Sequence, residues 1–91
     1  MSLYEIKYGA KLLKELNRFD KPVRSLLFEE IETLKEDPRP QSGKLLVGKP
    51  GLWSLRVGAY RVLYRIDDEQ MIVVPVRVGH RSVIYRNLAG L

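Results

Sequence analysis

The chain has 91 residues and a formal net charge of +5, a length that predicts one domain over residues 1–91 with one modest core. It contains no cysteine, which excludes disulfide staples and cysteine-held metal sites and suits a reducing compartment. A hydrophobic share of 45% against 30% charged residues fits a folded globular protein rather than a disordered one; no apolar run approaches the ~20 residues of a membrane span, and "MSLYEIKYG" is charged where a signal peptide is apolar, so the expected location is the cytoplasm, with no membrane partner.

In chain order, "LYEIKY" (Leu3 to Tyr8) alternates weakly and predicts a short strand. After Gly9 the period changes. Leu12, Leu13, Leu16 and Phe19 fall on one face of a helix. Asp20 is placed to cap a second helix that tolerates Pro22 in its first turn. Its apolar stripe is Val23, Leu26, Leu27, Ile31 and Leu34, and its wet face carries Glu29, Glu30, Glu32 and Glu36. "EDPRPQSGK" ends it and reads as a loop. The two helices should form a hairpin.

From Leu52 the period is two. Trp53, Leu55 and Val57 point inward, and Leu52, Ser54 and Arg56 outward. Gly58-Ala59 suits a two-residue hairpin turn of type II′. Tyr60, Val62, Tyr64 and Ile66 then face the core, with Arg61, Leu63 and Arg65 outward. A third strand, Met71 to Val78, is expected with Ile72, Val74, Val76 and Val78 inward. Its Pro75 belongs at an edge or a bulge. Gly79 is expected to end this strand and "HRSVIYRNL" to form a tail or short helix. The fold class that follows is α+β: an N-terminal strand and a helical hairpin packed on a small, mainly antiparallel sheet.

The charge is unevenly placed. Through Asp37 there are seven basic and eight acidic residues; beyond it, nine basic and three acidic. A polyanionic or acidic partner is therefore expected on the second part. The hairpin register is what gives this excess a shape. With Gly58-Ala59 as the turn, Arg56 opposes Arg61. Like charges in that arrangement cost some tenths of a kcal/mol to about 1 kcal/mol. Arg77 is expected on the same face near Arg61, and Arg81 just past the strand end. An anion from outside is the simplest compensation, and a guanidinium fork suits phosphate. His80 is a candidate proton carrier near neutral pH. Tyr85 can orient a ribose hydroxyl or stack on a base. Lys44 and Lys49 are candidate phosphate contacts in the loop, Trp53 is read as core, and Arg65 and Arg86 as arginines lying over aliphatic surface.

The stretches "LWSLRVGAYRVLYRI" and "VVPVRVGHRSVIY", with the "DPRP...KL" connection before them, resemble the RelE-type toxins of bacterial and archaeal toxin–antitoxin modules. The resemblance covers nearly the whole chain. It implies an α/β fold with a helical hairpin on an antiparallel sheet. It also implies a metal-free, cofactor-free endoribonuclease that cleaves messenger RNA in the ribosomal A site, with the ribosome, mRNA and a RelB-like antitoxin as partners. In that reaction the ribose 2′-hydroxyl attacks the adjacent phosphate. Carried over by position, Arg61 matches the phosphate-stabilising arginine, Arg81 an arginine assisting the leaving group, and Tyr85 the tyrosine that positions the nucleotide. Arg56 matches a basic residue of the active face, and His80 has counterparts in relatives that use histidine. The chain departs from the pattern at Leu52 and Ser54, where the best-known bacterial member has lysines, one of them the proposed general base. His80, Lys44 or Lys49 would then take that place. The alternatives are a ParE-like inhibitor of DNA gyrase, which shares the fold, and a non-catalytic basic nucleic-acid-binding domain.

Overall fold

The computed structural model describes residues 3–91. Its elements are β1 (Glu5–Ile6), α1 (Ala10–Leu16), α2 (Lys21–Glu32) continued by a 3₁₀ turn (Thr33–Lys35), β2 (Gly43–Leu45), β3 (Trp53–Val57), β4 (Tyr60–Asp67) and β5 (Ile72–His80). The five strands form one sheet in the order β1-β5-β4-β3-β2. β1 runs parallel to β5, and the other pairs are antiparallel. The sheet is therefore mixed, with antiparallel pairing dominant, and the α+β expectation holds.

Both helices lie on one face. Leu12 and Leu16 of α1, and Leu27 and Ile31 of α2, are spaced one turn apart and are buried with Leu34 against Ile6, Leu55, Val57, Val62, Tyr64, Val73 and Val78. Leu13 and Leu26 fall outside these stripes and are 37% and 43% exposed. Asp20 stands at the N-cap of α2 without a side-chain capping bond, and Pro22 occupies the first turn, where a missing N–H costs nothing.

The expected β3–β4 register is the observed one. Val57 pairs with Tyr60, Arg56 with Arg61 and Leu55 with Val62. Gly58 has φ +59°, as a type II′ turn requires at its first central position. Three expectations change. β2 lies where a loop was expected, so Lys44 is on a strand. β5 runs on to His80. The third change is the side-chain phase of β5, at a bulge beside Pro75, the residue expected at an edge or a bulge: Leu63 pairs with Arg77 but Tyr64 with Pro75, leaving Val76 unpaired. The extra residue flips the side-chain phase. Val73 and Val78 therefore both join the helix-side core, Ile72 and Pro75 are buried as well, and Val74 and Val76 are only half-buried.

The second face of the sheet is not bare. Leu52 and Leu63, expected to point outward, do so but are fully buried there with Ile84, and Leu46, Val76, Leu88 and Leu91 pack around them. The C-terminal segment after β5 thus covers part of the face opposite the helices. Trp53 is half-buried at the core's edge, stacked on Tyr64 with ring centroids 6.5 Å apart, and the Arg39 guanidinium carbon lies 5.5 Å from its ring.

Tyr64 is fully buried and its hydroxyl donates to the Pro38 carbonyl at 2.8 Å. Burial pushes its phenol up to about 12 from 10.0. A folded-state value above the unfolded one means that the protonated phenol stabilises the fold. That contribution is intact below pH 10 and lost as pH rises through about 12. Denaturant melts between pH 9 and 12 should show a loss of about 2 kcal/mol from this group, and Tyr64→Phe should remove that part of the slope.

Gly43 sits beneath the same hydroxyl. A Cβ there would lie 2.8 Å from Tyr64 Oη and 3.4 Å from Pro40 Cδ. The phenol is pinned by its bond to Pro38 and by the ring's burial, so it has little room to move. Gly43→Ala should therefore cost about 1–3 kcal/mol in equilibrium unfolding, the usual range for overpacking.

Candidate nucleic-acid interface

The bare part of the sheet's second face holds a pocket of about 380 Å³. Gln41, Ser42, Gly43 and Lys44 form one bank, Ser54 and Arg56 of β3 with Arg61 of β4 the floor, and Arg81 and Tyr85 of the C-terminal segment the other bank. Strand pairing explains the grouping. Lys44 pairs with Ser54, and Arg56 with Arg61. Paired residues share a face, so alternation puts Lys44, Ser54, Arg56 and Arg61 on one side of the sheet. Gly79 pairs with Arg61 on that same side. Having no side chain, it lets Ile84 Cδ1 come within 3.3 Å of where a Cβ would stand.

The chain then turns back sharply. The N–H of Arg81 donates to the Ala59 carbonyl in the β3–β4 turn at 2.8 Å, and the N–H groups of Val83 and Ile84 both donate to the His80 carbonyl at 3.0 Å. These bonds bring Arg81 beside the Arg56–Arg61 pair and put Ile84 onto the sheet. Tyr85 follows, its hydroxyl 2.9 Å from Ser54 Oγ.

The pocket is cationic and unneutralised. The Arg61 guanidinium donates from Nη1 to the carbonyls of Gly58 at 2.9 Å and Tyr60 at 2.7 Å. Those two bonds fix its direction and leave Nε and Nη2 without protein partners. Among the described residues the ion pairs are Lys35–Glu32 and Arg39–Asp68, and neither touches the pocket. Three guanidiniums and one ammonium thus face the same space with no carboxylate among them, an arrangement suited to a phosphodiester. Among the described residues no three His, Cys, Asp or Glu side chains gather to hold a metal ion, and no helix is long and apolar enough to cross a membrane.

Of the residues singled out from sequence, Arg56, Arg61, Arg81, Tyr85 and Lys44 meet in this pocket, and His80, Arg77 and Lys49 do not. His80 pairs with Tyr60 and packs edge-on against its ring, which puts it on the helix side of the sheet. Its Nδ1 accepts the N–H of Ser82 at 3.1 Å and lies 2.8 Å from Ser82 Oγ, so the ring closes the turn after β5. Arg77 points to the pocket face from its place opposite Leu63, but its guanidinium turns away and donates to the carbonyls of Arg86 at 2.7 Å and Asn87 at 3.2 Å. It lines a separate groove of about 580 Å³ beside α1, with Arg18, Phe19 and His80. Lys49 is half-buried in the β2–β3 connection. Arg65, read as lying over aliphatic surface, donates to the Pro50 carbonyl at 3.0 Å. Sequence reasoning missed Ser54 and Ile84. The signal for Ser54 was a lone hydroxyl in the strand "LWSLRV"; for Ile84 there was none before the turn at His80 was known.

Comparison with known proteins gives a consistent result. Residues 6–85 match the family described as the ParE toxin of the type II toxin–antitoxin system, parDE. The chain is 36% identical to toxin RelG of Mycobacterium tuberculosis, over 91% of this chain and 97% of that protein. It is 31% identical to the mRNA interferase toxin RelE of Escherichia coli K12, over 87% and 84%. Among solved structures, the toxin–antitoxin complex RelBE2 of M. tuberculosis superposes with a TM-score of 0.78 at 33% identity, covering 87% of this chain and 99% of that one. The isolated E. coli RelE toxin superposes with a TM-score of 0.72 at 28% identity, covering 85% and 83%.

Proposed function

The chain belongs to the RelE/ParE superfamily of toxins from type II toxin–antitoxin modules, and from that premise we propose that it is an endoribonuclease that cuts messenger RNA in the ribosomal A site. The observation that carries this reading is the convergence of Arg56, Arg61, Arg81 and Tyr85 on one carboxylate-free pocket. The chemistry asks for charge neutralisation at phosphorus and for proton transfer at two oxygens. The ribose 2′-hydroxyl gives up its proton to solvent water and its oxygen bonds to the adjacent phosphorus. The bond from phosphorus to the 5′-oxygen breaks, and that oxygen takes up a proton from solvent water. A cyclic phosphate and a 5′-hydroxyl remain.

In this scheme Arg61 donates to the non-bridging oxygens, where charge builds up. Arg81, held beside the β3–β4 turn by its own backbone, stabilises the departing 5′-oxygen. Tyr85 faces the ribose, and Lys44 and Arg56 hold flanking phosphates. His80, committed to the turn and on the far side of the sheet, is assigned no proton transfer. The cognate partner is an antitoxin; relatives of this fold include the toxin–antitoxin complex RelBE2 of M. tuberculosis and the intact RelBE complex of E. coli.

A second reading, poisoning of DNA gyrase, is favoured by one observation: the matched family is described as the ParE toxin. The two are separated by inducing the chain alone and mapping 5′ ends of cellular messengers, with Arg61→Ala as control. New 5′ ends on ribosome-bound messenger, lost in the control and missing on free RNA, are the expected result. Intact messengers with arrested supercoiling would instead establish the gyrase reading.

A further inference from the structure

Among the described residues Ser54, 3% exposed, is the one buried residue besides Tyr64 that carries a side-chain hydroxyl. It lies mid-strand in β3, between Trp53 and Leu55 in sequence and between Lys44 and Leu63 across the sheet. A hydroxyl so placed needs a partner, and its partner is the phenolic oxygen of Tyr85 at 2.9 Å. The two ends of that bond differ in mobility. Ser54 is fixed in the sheet. Tyr85 is 41% exposed, sits on a segment without regular structure, and its hydroxyl has no other hydrogen-bond partner in the protein. The Ser54 bond is the one hydrogen bond that ties the phenol to the pocket floor.

We propose that Ser54 is a positioning residue whose hydroxyl holds Tyr85 Oη against the pocket floor, so that the phenol meets the ribose of the bound nucleotide in one fixed direction. The inference rests on the ribonuclease reading and deepens it. A phenolic oxygen has one proton to give and two lone pairs to receive. Ser54 takes up one of these sites, and the rest face the nucleotide. Stability alone gives little reason for serine here. Buried central strands favour β-branched side chains, and the net contribution of one hydrogen bond is about 1 kcal/mol. Serine is, however, small enough to leave the floor open between Lys44 and Arg61.

The test is a double-mutant cycle on single-turnover cleavage of A-site messenger by programmed ribosomes. Ser54→Ala should slow cleavage about tenfold while the half-saturating toxin concentration stays within about twofold. In a Tyr85→Phe background the same substitution should have no further effect, because the bond is already gone. Ser54→Thr, which keeps the hydroxyl, should recover most of the rate. Independently of activity, the Tyr85 Cζ resonance in protein carrying ¹³C-tyrosine should move in Ser54→Ala. An equal slowing in both backgrounds, or none in the wild type, overturns the proposal and leaves the ribonuclease reading standing. A wild type that does not cleave ribosome-bound messenger overturns both, while the Cζ shift still reports the bond itself.

Discussion

Replacing Arg61 and Arg81 by alanine should silence cleavage while leaving the protein folded. Each guanidinium is assigned to an oxygen that gains charge as the phosphodiester is cut. Removing one such preorganised donor typically costs about 10²–10³-fold in rate. The pair should cost more than either alone, and less than the product of the two if both serve the same phosphate. The effect on folding should be small and opposite in part. Arg61 loses two hydrogen bonds to turn carbonyls, but its removal also relieves the repulsion across from Arg56, worth some tenths of a kcal/mol to about 1 kcal/mol. Arg81 holds the turn through its backbone N–H, which alanine keeps. Thermal melts should therefore shift by only a few degrees while primer extension detects no cut. Arg61→Lys separates charge from geometry. It keeps the cation but loses the planar fork, so affinity for ribosomes should survive better than the rate. If the double variant still cuts at the wild-type rate, the pocket is not where the chemistry happens.

What could be read from the sequence, and what could not, divides at two places in the chain. The Gly58-Ala59 turn was legible because a two-residue loop fixes its register and only glycine sits easily at its first position. From that single turn the Arg56–Arg61 pair followed, and with it the cationic face. β5 was harder. Its apolar residues occupy both parities, so alternation could not reveal the extra residue at Val76. Pro75 marked an edge or bulge without saying that the phase would flip. Ending the strand at Gly79 also hid the place of His80. With Val78 inward, a strand continued by two residues puts His80 inward as well, opposite Tyr60 and away from Arg61. β2 was invisible for another reason: three residues in a segment rich in proline, serine and glycine carry no periodicity. The family resemblance named the pocket's residues but could not say that Lys44 crosses from this strand to face Ser54. Leu52 and Leu63 looked exposed because much of their cover, Ile84, Leu88 and Leu91, comes from beyond β5, and contacts so distant in sequence leave no local pattern.

That cover is a small cluster separate from the main core, and the same segment carries Arg81 and Tyr85 into the pocket. Ile84→Ala should unlatch it. Ile84 is 2% exposed and packs on Leu52 and Leu63 in a cluster separate from the main core. Truncation to alanine in such a place costs about 2–5 kcal/mol. A loss of that size need not unfold the protein, because the main core between the helices and the sheet is a separate cluster that does not include Ile84. It should instead appear as local opening after His80. Amide exchange at Val83, Ile84 and Arg86, whose N–H groups bond to His80 and Val83 carbonyls, should speed up by more than tenfold. Protection in α2 and β4 should hold. Cleavage should fall at least as far as in Tyr85→Phe, since the same segment carries Arg81 and Tyr85 and opening removes both from the pocket. Hydrogen exchange and cleavage read on the same preparation decide the matter. A uniform loss of protection across α2, β4 and the C-terminal segment, with the cleavage rate per folded molecule unchanged, would mean that the second face folds as one unit with the first. The pocket would then draw its rigidity from the whole sheet rather than from this latch.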